Sequence, residues 1–337
     1  MNDINDFTDK SFRAVVAEEQ PNGEYLALIK ERQISELPKN EVLVRVKYSG
    51  LNYKDALSAS GNKGITKKFP HTPGIDAAGV VEHSLSPLFR PGDEVLVTGY
   101  DLGMNTSGGF AEYIRVPASW VVKLPAELSA EEAMILGTSG FTAASAIYEF
   151  IHHGVEPGSG EILITGATGA VGSIAVAMLS KAGYDVVAAS GKPQATDWLM
   201  QLGAKRVVTR EEVDDQTGKP MLSGKWIAVL DTVGGNTLST AIRSTKERGI
   251  VTNCGMIVSN KLDVSVFPFI LRAVRLVGIA SADTPMGRRM EIWNLITQRL
   301  KPADLRSLAK VVSLDEVPNE LMRMLKGQQQ GKVVVRL

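Results

Sequence analysis

Between Glu41 and Tyr48 the chain alternates, with Val42, Val44, Val46 and Tyr48 on one face and Arg45 and Lys47 on the other. That is the period of a half-buried strand. Through residues 11–127 the pattern stays short and β-like. Arg90-Pro-Gly-Asp93 reads as a turn and Glu94–Val97 as the strand it feeds; Phe110–Val116 and Trp120–Lys123 read as further strands. Strands at this spacing predict a barrel-like or sandwich-like module.

The pattern changes near residue 128. Ser129 and Glu132 stand at the N-cap and capping-box positions of a helix. From Glu161 onward, apolar strand candidates (Ile162–Thr165, Val186–Ala189, Arg206–Val208, Ile227–Leu230, Ile250–Asn253 and Leu276–Ile279) alternate with helical stretches that begin near Val171, Pro193, Asn236 and Phe267. Such alternation predicts parallel βαβ units and a doubly wound α/β sheet. A chain of 337 residues suits two domains, here divided as 1–127 and 128–298. The end, Gly331–Leu337, reads as one more strand, and periodicity leaves open which domain takes it.

Composition narrows the functions. Apolar residues make up 44% and charged residues 22%, ordinary values for a globular protein. Lys plus Arg is 37 and Asp plus Glu is 37, so no basic surplus calls for nucleic acid. Ile162–Ser180 carries no charge, but Gly166, Gly169 and Gly172 divide it into a strand and a helix, which argues against a membrane span. Cys254 is the only cysteine, so neither an intramolecular disulfide nor a multi-cysteine zinc site can form. The acidic start Met1–Asp6 lacks the pattern of a secretory signal, and together these features lead us to expect a cytoplasmic protein.

The chemistry concentrates at Glu161-Ile-Leu-Ile-Thr-Gly166-Ala-Thr-Gly169-Ala-Val-Gly172, a strand, a glycine turn and a helix start. Small residues let the backbone approach a pyrophosphate, which then sits at a helix N-terminus where N–H groups and the macrodipole favour negative charge. Glycine falls at three-residue intervals, and Ala167 stands where G-x-G-x-x-G would place its second glycine. The context still indicates a dinucleotide site. An NAD site usually places Asp or Glu at the tip of the following strand. Here the tip is Val187-Ala-Ala-Ser190-Gly191-Lys192, a hydroxyl and a lysine suited to the extra phosphate of NADP. Arg206 and Arg210 are candidates to complete a phosphate clamp.

Several further pieces, in order, carry a resemblance: Ser49-Gly-Leu-Asn52-Tyr53-Lys-Asp55, Pro73-Gly-Ile-Asp76, Gly108-Gly-Phe-Ala-Glu112-Tyr113, Gly137-Thr-Ser-Gly-Phe-Thr-Ala143, Asp231-Thr-Val-Gly234 and Gly331-Lys-Val-Val. The chain resembles the medium-chain dehydrogenase/reductase superfamily, which joins a GroES-like β-rich domain to a Rossmann domain. That resemblance implies that 299–337 returns to the first domain. Zinc-dependent members bind their metal through cysteine and histidine, but the matching positions here fall in Asn52-Tyr53 and on Ile75. The resemblance therefore implies a zinc-free branch. Within it, Val187–Lys192, Phe267–Ser281, Thr284-Pro285 and Arg288-Arg289 are similar to bacterial NADPH-dependent acrylyl-CoA reductases.

What that resemblance implies is specific. Thr168, Gly169, Ala170 and Val171 would lie on the pyrophosphate, and Ser190, Gly191, Lys192 and Arg210 on the adenosine phosphate. Met256, Ile270 and Ser281 would line the nicotinamide ribose. Tyr53 would contact the nicotinamide region and, with Asn52 beside it, orient the reaction; its alternative is a packed aromatic with a wet hydroxyl. Asp55 is read as structural, bonding loop N–H groups. Cys254 reads as a small buried hydrophobe. Arg272, Arg288 and Arg289 are weak candidates for a CoA phosphate. The expected reaction is hydride transfer from NADPH to an α,β-unsaturated acyl-CoA in a homodimeric enzyme. The alternatives are NADPH:quinone reduction and a non-catalytic NADPH-binding protein.

Overall fold

The computed structural model describes residues 9–337; the acidic start read for the absence of a signal lies outside the described residues. In chain order come β1 (Ser11–Glu19), β2 (Tyr25–Gln33), β3 (Val42–Leu51), α1 (Tyr53–Ala59), β4 (Asp76–Ser84), β5 (Glu94–Thr98), β6 (Tyr113–Val116), β7 (Val122–Lys123) and α2 (Ala130–His152). There follow β8 (Glu161–Ile164), α3 (Ala170–Lys181), β9 (Asp185–Ser190), α4 (Thr196–Gln201), β10 (Arg206–Thr209), β11 (Trp226–Asp231) and α5 (Gly235–Arg243). The chain ends with β12 (Thr245–Asn253), α6 (Phe267–Arg272), β13 (Arg275–Gly278), α7 (Met286–Leu295), β14 (Ala309–Ser313), α8 (Val317–Leu325) and β15 (Lys332–Arg336).

Two compact units divide this chain. The first runs through Thr138 and takes back Ala282–Met286 and Leu305–Leu337; the second holds Ser139–Ser281 and Gly287–Asp304. The division falls inside α2, next to a kink at Gly137, whose φ of 47° and ψ of −151° interrupt the helix.

In the first unit, β1 and β2 form an antiparallel pair, and a seven-stranded sheet runs β14-β15-β3-β4-β5-β7 with β6 on β3. The last strand therefore joins the first unit, antiparallel to β3 and parallel to β14. The alternation in β3 holds for Val42, Val44 and Val46, which enter one core cluster, and for exposed Arg45. Leu43, on the other face, is buried as well, because Phe12, Val16, Ile34 and Tyr113 cover it in a second cluster. The strand expected at Phe110–Val116 begins only at Tyr113: Phe110 accepts from Val15 N–H and Ala111 bridges Ala14, so these two residues bond to β1. Trp120 closes a 3₁₀ turn, which leaves β7 only two residues.

The second unit is the expected doubly wound sheet. Six parallel strands run β10-β9-β8-β11-β12-β13, so the order reverses between β8 and β11. Ligands of such sheets bind outside the carboxyl ends of the strands at that switch point. Val187, Leu163, Val229 and Val251 form its core with Leu238, Ala241 and Ile242 of α5. The uncharged run Ile162–Ser180 is split between β8 and α3. α2 is long and apolar enough to cross a membrane by length and composition alone, yet 72% of its apolar window is buried, as in a core helix.

Candidate functional site

At the switch point the chain leaves β8 through Thr165 and turns at Gly166, whose φ is 59°. A Cβ there would stand 2.3 Å from Thr232 Oγ1, and one on Gly172 would stand 2.5 Å from the Gly166 carbonyl. Glycine is required at both positions because the turn, β11 and α3 approach this closely. α3 opens at Ala170 with Gly169 as N-cap. The Gly169 N–H is spent inside the turn on the Gly166 carbonyl, at 3.0 Å. The N–H groups of Ala170 and Val171 belong to the first turn, whose donors have no partner within a helix. These residues fit a pyrophosphate.

A buried network holds the rim. Thr165 Oγ1 donates to Asp231 Oδ1 at 2.6 Å, while Gly234 N–H and Asn253 Nδ2 each donate to Oδ2 at 2.8 Å. Thr232 Oγ1 donates back to the Thr165 carbonyl at 3.0 Å. Burial raises the Asp231 pKa against these hydrogen bonds. Asp231 thus pins the ends of β8, β11 and β12 to one another. Sequence reasoning quoted Asp231 without a role and missed Thr165 and Asn253; an acid ending an apolar strand was the available signal. Cys254, on this rim, lies 3.6 Å from the Asp231 carbonyl, and burial, with Asp231, pushes its thiol up to about 12.

The tip of β9 gathers the predicted phosphate group. β10 pairs in parallel with β9, Thr209 opposite Ser190, so Arg210 emerges beside the tip. A Cβ on Gly191 would lie 2.9 Å from Arg210 Nη2, which places the guanidinium directly over this glycine. Ser190 Oγ accepts from Lys192 N–H at 3.0 Å. Partial burial lowers the Lys192 pKa. Arg206 is a correction. It lies opposite Val187, at the other end of the strand pair, where Nε and Nη2 bond Glu161 at 3.0 and 2.7 Å.

The remaining assignments lie beyond β12, on α6 and beyond β13. Met256 and Ile270 are exposed (72% and 69%), and Ser281 Oγ accepts from Thr142 Oγ1 at 2.7 Å. Arg272 is structural: it donates to the carbonyls of Leu222, Arg243 and Thr245. Arg289 is buried, 5.0 Å from the Phe141 ring centroid, and Arg288 pairs with Glu291. None of the three stands as an open phosphate site.

In the first unit, Tyr53 is the first residue of α1 and is 46% exposed. Asn52 before it is buried: its Nδ2 donates to Asp76 Oδ2 at 2.7 Å, and its Oδ1 accepts from Lys332 Nζ at 2.9 Å. Asp55 accepts from the N–H groups of Asn52, Gly74 and Ile75 at 2.8, 3.1 and 2.9 Å, the structural role read from the sequence. Burial and the neighbouring Asp76 raise its pKa to about 7. Asp76 and Lys332 were quoted only as parts of motifs, and their partnership went unread. A catalytic zinc does not fit here. Ile75 has no ligand atom, the Asn52 amide is committed at both ends, and no three His, Cys, Asp or Glu gather for a metal among the described residues.

A parallel sheet with a glycine turn at its switch point, joined to a β-rich unit, defines a two-domain NAD(P)-dependent oxidoreductase. Comparison with known proteins agrees. Residues 38–126 match the alcohol dehydrogenase GroES-like domain and residues 170–297 match the family described as zinc-binding dehydrogenase. YhfP of Bacillus subtilis, assigned by name to the quinone oxidoreductases, is 42% identical over 97% of this chain and 99% of its own. Its crystal structure with NAD bound superposes with a TM-score of 0.95, covering 98% of this chain and 100% of that one. The acrylyl-CoA reductase AcuI of Ruegeria pomeroyi is 39% identical over 95% of this chain and 97% of its own. The yhdH oxidoreductase of Salmonella enterica, solved with NADP, is 40% identical with a TM-score of 0.93, covering 96% of this chain and 99% of that one. The chain belongs to the medium-chain dehydrogenase/reductase superfamily.

Proposed function

We propose that this oxidoreductase uses NADPH, without zinc, to reduce the C=C bond of an α,β-unsaturated acyl-CoA, acrylyl-CoA to propionyl-CoA being the specific expectation. The observation that carries the cofactor choice is the tip of β9, where the Arg210 guanidinium lies over Gly191 between Ser190 and Lys192 and the tip residues 190–192 include no carboxylate. A 2′-phosphate is favoured there by two cations, whereas an NAD-type carboxylate would repel it. Likeness to the Ruegeria pomeroyi reductase along 95% of the chain supports the substrate class.

When bound, the cofactor supplies a hydride from its nicotinamide. The chain's own residues bind and orient. Ala170 and Val171 offer N–H groups to the pyrophosphate, with Thr168 and Gly169 shaping the turn. Ser190, Gly191, Lys192 and Arg210 hold the adenosine phosphate, and Met256, Ile270 and Ser281 are assigned to the nicotinamide ribose. Tyr53 is assigned the orienting role as a hydrogen-bond donor, able to stabilise negative charge growing on the thioester oxygen. Asn52 fixes the turn that presents it.

Steady-state NADPH oxidation with acrylyl-CoA and with a benzoquinone, at equal enzyme, tests the reading. A higher kcat/KM for acrylyl-CoA, with propionyl-CoA as product, is expected. A quinone preference of orders of magnitude overturns it in favour of quinone reduction, the reading that the name of YhfP supports.

We also propose a cytoplasmic homodimer. β13 is the edge strand of its sheet and exposes Leu276, just after exposed Phe267 and Leu271 of α6. An apolar, unpaired edge is a template for a second strand, and an identical copy offers one. Leu276→Glu is expected to give monomers in light scattering; an unchanged mass would place the interface elsewhere.

A further inference from the structure

The first unit encloses two carboxylates and an ammonium that the proposed chemistry does not use. Lys332, which opens β15, and Asp76, which opens β4, are both fully buried, with Nζ 3.3 Å from Oδ2. Asp76 also accepts from Thr138 Oγ1 at 2.6 Å and from Thr138 N–H at 3.0 Å. That N–H is available because α2 breaks at Gly137, where a Cβ would meet Asp76 Oδ2 at 2.4 Å. Glycine at 137 therefore both kinks the helix and makes room for the carboxylate. Asp55, buried on α1, is close enough for Asp76 and Lys332 to act on its charge.

Such a cluster is costly unless each charge is paired and hydrogen-bonded. One side chain bridges the ion pair as well. The Asn52 amide lies between the partners, its oxygen on Lys332 and its nitrogen on Asp76, so its orientation is dictated at both ends. Its backbone N–H is held by Asp55 at 2.8 Å. Asn52 immediately precedes Tyr53, so the anchor of one sets the starting point of the other.

We infer that Lys332 is a positioning residue, whose buried ammonium locks the Asn52 amide against Asp76 and thereby fixes the turn from which Tyr53 emerges. The inference rests on the functional reading for what Tyr53 does, but not for where Tyr53 is held. Lys332 also favours the ionised form of Asp55: burial and Asp76 raise the Asp55 pKa, and the ammonium, with the loop N–H groups, opposes them. The ionised form is the one that accepts all three loop N–H groups.

The test compares wild type with Lys332→Met, a neutral side chain of similar length, using three readouts. The first is the ¹⁹F resonance of Tyr53 in protein carrying 3-fluorotyrosine, assigned through Tyr53→Phe; it needs no turnover. Lys332→Met is expected to shift or broaden that line. The second is the split between kcat and KM: kcat falls about tenfold to a hundredfold, as for a misplaced orienting group, while NADPH affinity stays within twofold. The third is the pH profile, whose acid limb moves up as Asp55 loses a compensating charge. A Tyr53 line, kcat and pH profile that all superpose on wild type overturn the inference. Should the single variant fail to fold, Lys332→Met with Asp76→Asn removes both charges together. In that variant an unmoved Tyr53 line overturns the inference, and a moved one supports it. Wild-type protein that reduces neither acrylyl-CoA nor quinone sinks the functional reading, and the ¹⁹F comparison still decides the role of Lys332.

Discussion

Replacing Arg210 with alanine removes a guanidinium that lies over Gly191, at the tip of β9, and leaves Lys192 in place. Two unit charges about 4 Å apart interact by ~1 kcal/mol in bulk water and ~4 kcal/mol at an effective dielectric of about 20. Arg210 is exposed, so the lower part of that range applies, ~1–2 kcal/mol. A charge-assisted hydrogen bond to phosphate contributes on the same scale. The Kd for NADPH should therefore rise roughly 5- to 30-fold in Arg210→Ala. NADH lacks the phosphate, so its Kd should stay within about twofold. Fluorescence titration with both nucleotides at fixed ionic strength measures this. The wild-type preference should also shrink with added salt, because an exposed contact is screened over about 8 Å at physiological ionic strength. Equal weakening of NADPH and NADH would refute the assignment, since Arg210 would then act on a part both share. A wild type indifferent between the two nucleotides would refute the NADP reading itself.

Arg206→Ala should leave both nucleotide affinities unchanged in the same titration. It should cost at most about 1 kcal/mol in urea denaturation, because its pairing with Glu161 is a partly exposed surface bridge. The raised pKa of Asp55, about 7, means that the folded protein holds this proton where the unfolded chain, near 3.8, has released it. Its stabilising contribution is therefore complete below about pH 4 and is lost as pH rises through 7. Urea midpoints between these limits should fall more steeply with pH in wild type than in Asp55→Asn; parallel slopes would contradict the burial argument. With its thiol pushed up to about 12, Cys254 should react slowly with iodoacetamide at neutral pH, and Cys254→Ala should keep its kcat. Rapid inactivation by alkylation would show a thiolate that the structure does not support.

What the chain discloses in advance, and what it withholds, follows from sequence separation. The glycine turn is local: a strand, Gly166, Gly172 and α3 lie within one βα unit, and the constraint on each glycine comes from neighbours that the pattern itself predicts. Arg206 opened a predicted strand and Arg210 lay just past its end, and only the register decided between them. Parallel pairing puts Thr209 against Ser190, so one arginine reaches the tip while the other, opposite Val187, falls to Glu161. No periodicity reports that register. The cluster around Asn52 lies further out of reach, since its lysine is 280 residues from the amide it holds and 256 from the carboxylate. Each member looked unremarkable where it stood: a lysine before three valines, an aspartate opening a strand, a glycine inside a helix. A buried charge is intelligible only with its partner, because alone it would be driven to neutrality or to the surface. Gly137 marks the same limit from the other side. Inside a helix it reads as a weak spot of about 1 kcal/mol, yet its missing Cβ is what lets Asp76 reach Thr138.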